Sequence, residues 1–339
     1  MDLKPAGVAG NARGLVVVTG ADGFAGRAAC THFRATGVPF RGLVRALSTA
    51  TAARPDMLPV GDLTTITDDA LMNALQGAHT VVHLAGRAHV MRETVADPLA
   101  AFRAVNVVAT ERLSRAAAAV GAAHFVFASS AKVNGETAPP ERPFRENDPP
   151  DPRDDYAVSK WEAECVLGDV ARETGMPVTV LRLPLLYGPG VKGNIARLTE
   201  SIARGMPLPL GMIDNRRSLL GAGNLASALD ALLGHSAPAP GAVATYFLAD
   251  ALPVATPELV RSIAAALGVA PRLVPIPPPL LHFVCACAGK AAAIDRLTGS
   301  LVVDASAFRA AFGWLPPRAM ADELADMVRA RRNARASPL

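Results

Sequence analysis

Leu15-Val-Val-Val-Thr-Gly-Ala-Asp-Gly-Phe-Ala-Gly26 is the stretch that decides the fold. Its first half is a short apolar run rich in β-branched residues, which reads as a buried strand. The glycines at 20, 23 and 26 follow, and then AGRAACTHFRATG, a helical pattern closed by Gly37. Glycines spaced by three also occur in plain tight turns. Placed on the first strand–helix junction, they make a site for a pyrophosphate: bare backbone approaches closely, and the helix N-terminus favours negative charge. Gly20, Gly23, Phe24, Ala25 and Gly26 are therefore candidate contacts for a dinucleotide.

Outward from this turn, strand and helix alternate. PFRGLVR reads as a second strand, the MLPVGDL region as a third, HTVVHLAG as a fourth and HFVFASS as a fifth. PVTVLRLPLLYG reads as one sixth strand. A short helix is expected over 68–76, one long helix over 98–120, and another from Tyr156 to about residue 174. Apolar runs separated by helices predict an α/β, Rossmann-type doubly wound parallel sheet covered on both faces, with a smaller C-terminal substrate-binding region. The expected division is a flexible leader at 1–13, the dinucleotide-binding part at 14–188 with parts of 214–250 rejoining it, a substrate-binding region at 189–213 and 251–330, and a frayed tail at 331–339. The glycine-rich 188–193 and the loop at 205–216 are candidate covers for a site.

Half of the 339 residues are hydrophobic and 19% are charged, enough for a sizeable core and against global disorder. A net charge of +4 suits anionic small molecules and is too mild to argue for nucleic acid. Cys30, Cys165, Cys285 and Cys287 lack CxxC spacing and read as reduced core thiols of a cytoplasmic protein. No metal site is expected: the seven histidines form no HExxH pattern, and His83 and His89 read as packed or solvated. Residues 1–14 lack the apolar region of a secretory signal. The apolar run at 280–288 is well short of the roughly 20 residues that span a bilayer, so no integral membrane segment is expected. A buried or interface helix fits 280–294 better than contact with a membrane surface.

Tyr156-Ala-Val-Ser-Lys160 places a phenol and an ammonium on one helical face. An ammonium there favours the phenolate and is expected to lower the tyrosine pKa, which makes a general base for an alcohol. In a parallel sheet consecutive strand ends share an edge. Ala85-Gly86 and Ser129-Ser130 then meet the glycine turn and Tyr156 there. The second strand ends in Arg45 where a ribose-binding acid would be sought, and a guanidinium suits a 2′-phosphate; the cofactor is NAD or NADP, with Arg45 leaning toward NADP. Asp62 is a candidate acceptor for the adenine amino group or an ordinary turn aspartate. Glu162 and Glu164 read as solvated helix positions, and Asp151, Asp154 and Asp155 as acids suited to a helix N-terminus.

Taken together, TGADGFAG, GDL at 61–63, HLAG at 83–86, Asn106 in NVVAT, SSAKVNGE at 129–136, YAVSK and RLPLLYGPG at 182–190 make the chain resemble the extended short-chain dehydrogenase/reductases. Within them it looks like the bacterial nucleotide-sugar 4-epimerases and their relatives from O-antigen and capsule pathways. The resemblance covers 15–225 well, and SLVVDASAFRAAFGW adds a family-like C-terminal segment. It implies that Ser130 bonds the reacting oxygen, that Tyr156 is the acid/base, and that Lys160 holds the nicotinamide ribose. It also implies that Asn106 supports the active-site helix or a proton-relay water. Leu63 and Pro184 would border the dinucleotide, and Arg217 and Asn194 would contact the substrate diphosphate, with Arg216 the rival of Arg217.

The implied activity is NAD(P)-dependent epimerisation at C4 of a UDP-hexose through a transient 4-keto sugar. The alternative is 4-keto reduction of a UDP-4-keto-6-deoxy-N-acetylhexosamine of the quinovosamine type; a non-catalytic dinucleotide sensor is a distant third. A homodimer is implied by the same likeness. Lys132 and Asn134 replace the Thr and Tyr of glucose-type enzymes, which suggests a different sugar pocket. No bulky aromatic stands near Ser300–Leu301, which favours an N-acetylated hexosamine.

Overall fold

The structure is a computed structural model, and it describes residues 14–48, 54–88, 95–287 and 298–336. Its centre is a seven-stranded, all-parallel sheet in the order β3-β2-β1-β4-β5-β6-β9. The strands are β1 (Leu15–Thr19), β2 (Phe40–Val44), β3 (Met57–Pro59), β4 (Ala78–His83), β5 (His124–Ser130), β6 (Val178–Leu183) and β9 (Val243–Phe247). The order in which successive strands are added reverses between β1 and β4, which opens the crevice where such sheets take ligands.

Alternation along β1 explains the two covered faces. Val16 and Val18 join one buried cluster with Ala29 and Phe33 of helix α1 (Phe24–Thr36) and with Leu225 and Leu229 from residues 222–233. Val17 joins the opposite cluster with Leu71 of α2 (Asp68–Leu75) and with Leu113 and Leu167. Each fully buried valine or leucine contributes roughly 1.5–3 kcal/mol. A third core gathers Tyr187, Ile195, Ile202, Ile263 and Leu324 beneath the later helices.

Two sequence expectations need correction. The stretch 98–120 is not one α-helix: α3 (Pro98–Arg103) runs into a π-turn at Ala104–Val108 before α4 (Ala109–Ala119), and the Ala109 N–H reaches back five residues to the Ala104 carbonyl. Such a bulge re-aims the side chains inside it, here Asn106. PVTVLRLPLLYG is likewise two strands. Pro184 has no N–H to give the ladder, so β6 ends at Leu183 and β7 (Leu185–Tyr187) leaves to pair with β8 (Leu219–Gly221) in a small parallel sheet.

The helix that carries Tyr156 is α5 (Asp155–Thr174). Asp154 caps it by accepting from the Ala157 N–H at 2.8 Å. Gly175 closes it in the left-handed region (φ 77°), with its N–H on the Ala171 carbonyl. Beyond the small sheet lie α6 (Gly193–Ala203), α7 (Ala222–Leu233) and α8 (Thr256–Leu267), and the strand after α7, β9, pairs with β6.

Candidate active site

The glycine turn packs against the end of β4. Gly20 takes φ 64°, and a Cβ there would meet the Ala85 backbone at 2.8 Å. At Gly26 a Cβ would overlap the Gly20 carbonyl, and at Gly23 it would lie 2.9 Å from the same oxygen. Gly23 is the N-cap of α1, with no side-chain cap and no acid in the first helical turn. The leading amides of α1, at Phe24 and Ala25, are left to an outside anion, so the residues present fit a dinucleotide pyrophosphate.

Arg45 is exposed just past β2, and its carbonyl accepts from the Gly61 N–H at 3.1 Å. Asp62 serves the turn: its Oδ1 accepts from the Thr64 N–H at 2.8 Å and the Thr64 hydroxyl at 2.7 Å. These bonds, with the Arg45 charge nearby, hold the Asp62 carboxyl below its usual range. Leu63 packs half-buried on the core, and Pro184 is buried at the β6–β7 joint.

Ser130 ends β5 and Tyr156 opens α5. The phenol ring stands edge-on to Phe102, centroids 6.1 Å apart. Lys160 is buried, its Nζ donating to the Ala128 carbonyl at 2.8 Å and lying 4.5 Å from the Phe127 ring centroid. A Cβ on Gly86 would come within 3.4 Å of that Nζ and 3.2 Å of Asn106 Oδ1, so the end of β4 borders both side chains.

Burial brings the Lys160 ammonium down to about 8, while the Glu164 carboxylate works in the other direction. The expected lowering of the tyrosine is not met in the protein itself. Burial pushes the Tyr156 phenol up to about 12, a hydrogen bond with Ser130 opposes the rise, and the Asp154 charge adds to it. The physical reason is burial of the phenol, which outweighs the Ser130 bond, while Lys160 is tethered to a β5 carbonyl.

Asn106 is a brace. Its Nδ2 donates to the Arg87 carbonyl at 3.1 Å and to Ser159 Oγ at 2.9 Å, and its Oδ1 accepts from the Arg87 N–H at 2.8 Å. The Ser159 hydroxyl in turn donates to the Tyr156 carbonyl at 2.8 Å. One side chain thus ties the end of β4 to the first turn of α5. Ser159 lies inside the YAVSK motif, where its spacing of three from Tyr156 was the available signal.

Glu164 is not solvated: it is buried against Arg182, 2.7 Å apart, and also accepts from the Ser129 hydroxyl. Arg182 donates onward to Asn134 Oδ1 at 3.0 Å, and Asn134 to the Asp148 carbonyl. Asn134 is therefore spent inside the wall rather than presented to a sugar. Lys132 is half-exposed and pairs with Glu136 at 3.1 Å and with Asp154. Glu162 pairs at the surface with Arg103. Cys165, expected in the core, is exposed on the same helix because its position falls on the outer face of α5, whereas Cys30 is buried.

Arg217 and its neighbour part company. Arg216 reaches the exposed Asp214 at 3.3 Å, whereas the Arg217 guanidinium turns inward to the Gly299 carbonyl at 2.8 Å, its pKa lowered by burial. Asn194 is exposed in the first turn of α6. The cover loop at 205–216 is pinned by Leu208 and Gly211, which bond the backbone at Arg272 and Val274. His89 and the stretch 288–294 of the apolar run lie outside the described residues. Among the described residues no group of three or more His, Cys, Asp or Glu can hold a metal, and no helix is long and apolar enough to cross a membrane.

Comparison with known proteins fits this geometry. The model of the NAD dependent epimerase/dehydratase family matches residues 16–244. A UDP-glucose 4-epimerase of Vibrio cholerae is 39% identical over 266 residues, covering 78% of this chain and 79% of its own. The fold superposes on the UDP-glucose 4-epimerase of Thermus thermophilus in complex with NAD (TM-score 0.73, 24% identity, 94% of this chain and 99% of that one). It superposes equally on RMD from Pseudomonas aeruginosa complexed with NADPH (TM-score 0.72, 25% identity, 94% and 99%). With a glycine turn shaped for pyrophosphate beside a serine, tyrosine and lysine, the chain belongs to the NAD(P)-dependent epimerase/dehydratase family, among the extended short-chain dehydrogenase/reductases.

Proposed function

We propose that the protein is an epimerase acting at C4 of a UDP-hexose, a UDP-N-acetylhexosamine in particular, in the supply of surface-polysaccharide precursors. The observation that carries the reading is the meeting of Ser130, Tyr156 and Lys160 at the sheet edge where Gly20 abuts Ala85. The likeness to the Vibrio cholerae UDP-glucose 4-epimerase supports it.

A bound nicotinamide supplies a place for the C4 hydride to go and return from. The protein's own groups do the rest. Tyr156 takes the 4-hydroxyl proton and gives it back, and Ser130 bonds the same oxygen. Lys160 fixes the ribose, and the Ser130 hydrogen bond favours the phenolate against the burial that opposes it. Arg217 and Asn194 hold the diphosphate while the 4-keto sugar turns over its other face. Excluding water strengthens each of these interactions.

A second reading, reduction of a UDP-4-keto-6-deoxy-N-acetylhexosamine, is favoured by two observations. Arg45 offers a guanidinium at the end of β2, as suits the 2′-phosphate of an exchangeable NADPH, and burial keeps the Tyr156 phenol protonated, the form from which a reduction starts. Purified protein incubated with UDP-N-acetylglucosamine alone, and separately with the 4-keto-6-deoxy sugar nucleotide plus NADPH, separates them. Turnover in the first tube, abolished by Tyr156→Phe, is the expected result; turnover in the second tube alone sinks the epimerase reading.

A further inference from the structure

His83, at the end of β4, is fully buried and holds hydroxyls on both ring nitrogens: Thr19 Oγ1 at 2.6 Å from Nδ1 and Thr110 Oγ1 at 2.9 Å from Nε2. One set of proton positions satisfies all the neighbouring bonds at once. The Thr110 hydroxyl donates to the Asn106 carbonyl at 2.7 Å, so towards His83 it accepts, and Nε2 carries the hydrogen. Nδ1 is then bare and accepts from the Thr19 hydroxyl, which itself accepts from the Ala85 N–H at 3.3 Å. Burial holds this imidazole neutral, lowering it to about 3, with the Lys160 charge acting in the same direction. The ring stacks on Phe127, centroids 5.7 Å apart, which fixes its plane.

We infer that His83 is a positioning residue, the middle of a one-directional hydrogen-bond chain that couples the dinucleotide turn to the helix carrying Tyr156. From Thr19, directly before Gly20, the chain runs through His83 and Thr110 to Asn106. From there it passes through Ser159 to the Tyr156 carbonyl. It links the ends of β1 and β4, the π-turn, α4 and α5, five elements whose separation sets the distance from a bound nicotinamide to the phenol. A chain in which each hydroxyl both accepts and donates transmits a shift at one end to the other, because no member can rotate without orphaning a buried partner. This inference rests on the dinucleotide-dependent chemistry proposed above.

Amide hydrogen exchange with and without saturating NADPH or NAD tests it independently of any sugar. In the unaltered protein dinucleotide slows exchange both at the glycine turn and in the first turns of α5. Thr110→Val, which keeps the volume and deletes the hydroxyl, still protects the turn but loses the protection of α5, and Thr110→Ser restores it. With sugar substrate, Thr110→Val lowers kcat on the order of 10–100-fold, as expected for a reacting geometry misplaced at a distance. The sugar KM stays within about twofold, and a primary deuterium effect on hydride transfer appears or grows. Thr19→Val breaks the chain at its other end and serves where Thr110→Val does not fold. Protection of α5 in both valine variants equal to the unaltered protein overturns the coupling. Failure of the unaltered protein to turn over either sugar nucleotide overturns the proposed function and leaves the exchange result to decide the chain.

Discussion

Glu164 and Arg182 form an ion pair 2.7 Å apart with side chains only 6% and 5% exposed, one helical turn beyond Lys160 and touching Ser129. The pair joins α5 to β6 behind the serine pair. Arg182 also reaches Asn134 and the Glu146 carbonyl, so each nitrogen of its guanidinium is hydrogen-bonded. Breaking one partner leaves a buried charge unmatched, which costs about 3–5 kcal/mol. Glu164→Gln is therefore expected to lower the urea midpoint sharply, and Glu164→Gln with Arg182→Met to recover a large part of the loss. A loss of unfolding free energy below about 1 kcal/mol in the single variant contradicts this account.

Lys160 gives the stability of the protein a pH dependence whose sign is fixed. Its ammonium is brought down to about 8 in the folded chain, against about 10.4 when unfolded. Below pH 8 both states carry the charge, and its burial opposes folding. Between pH 8 and 10 the unfolded state binds more protons, so stability rises with pH, by at most roughly 3 kcal/mol. The Tyr156 phenol, pushed up to about 12, acts in the opposite sense only above its ordinary value near 10. The difference in unfolding free energy between the unaltered protein and Lys160→Met, followed from pH 7 to 10, isolates the effect. A flat difference contradicts it.

Arg45 decides cofactor preference if its guanidinium meets a 2′-phosphate. A charge-assisted bond of that kind is worth about 1.5–3 kcal/mol, hence on the order of 10–100-fold. Arg45→Glu is expected to shift the ratio of NADP to NAD affinity by that factor toward NAD, without a change in melting temperature, since the side chain is exposed. Fluorescence titration with each reduced cofactor measures it.

Much of this site was legible in the chain because it rests on local chemistry. The glycines had to lie on a strand–helix junction, and Tyr156 and Lys160 had to share a helical face; spacing alone carries both. Contacts between distant segments were less legible. Glu164 looks like any helical glutamate until β6 brings Arg182 beneath it, eighteen residues on. Thr19, His83 and Thr110 are far apart in sequence and meet only because β1 pairs with β4 and the π-turn tips α4 toward them. Pro184 did carry a signal, a missing donor in the middle of a strand pattern, and the apolar run on either side concealed it.

Asp154 does two jobs that one substitution can separate. Its Oδ1 caps α5 at the Ala157 N–H, its Oδ2 pairs with Lys132, and its charge raises the Tyr156 phenol. Asn is as good an N-cap as Asp, whereas Ala is not. Asp154→Asn should therefore keep stability within about 0.5 kcal/mol while Asp154→Ala loses about 1 kcal/mol. Both remove the charge, so in both the phenol titrates lower than in the unaltered protein. The chain has three tyrosines, and Tyr187 is pushed far above its usual range by burial and Asp250, so ultraviolet phenolate titration resolves the change. If Tyr156 works as the acid/base, the limb of the kcat profile that reports it moves to lower pH in the asparagine variant. A phenol that titrates unchanged there separates Asp154 from the chemistry and leaves it a helix cap.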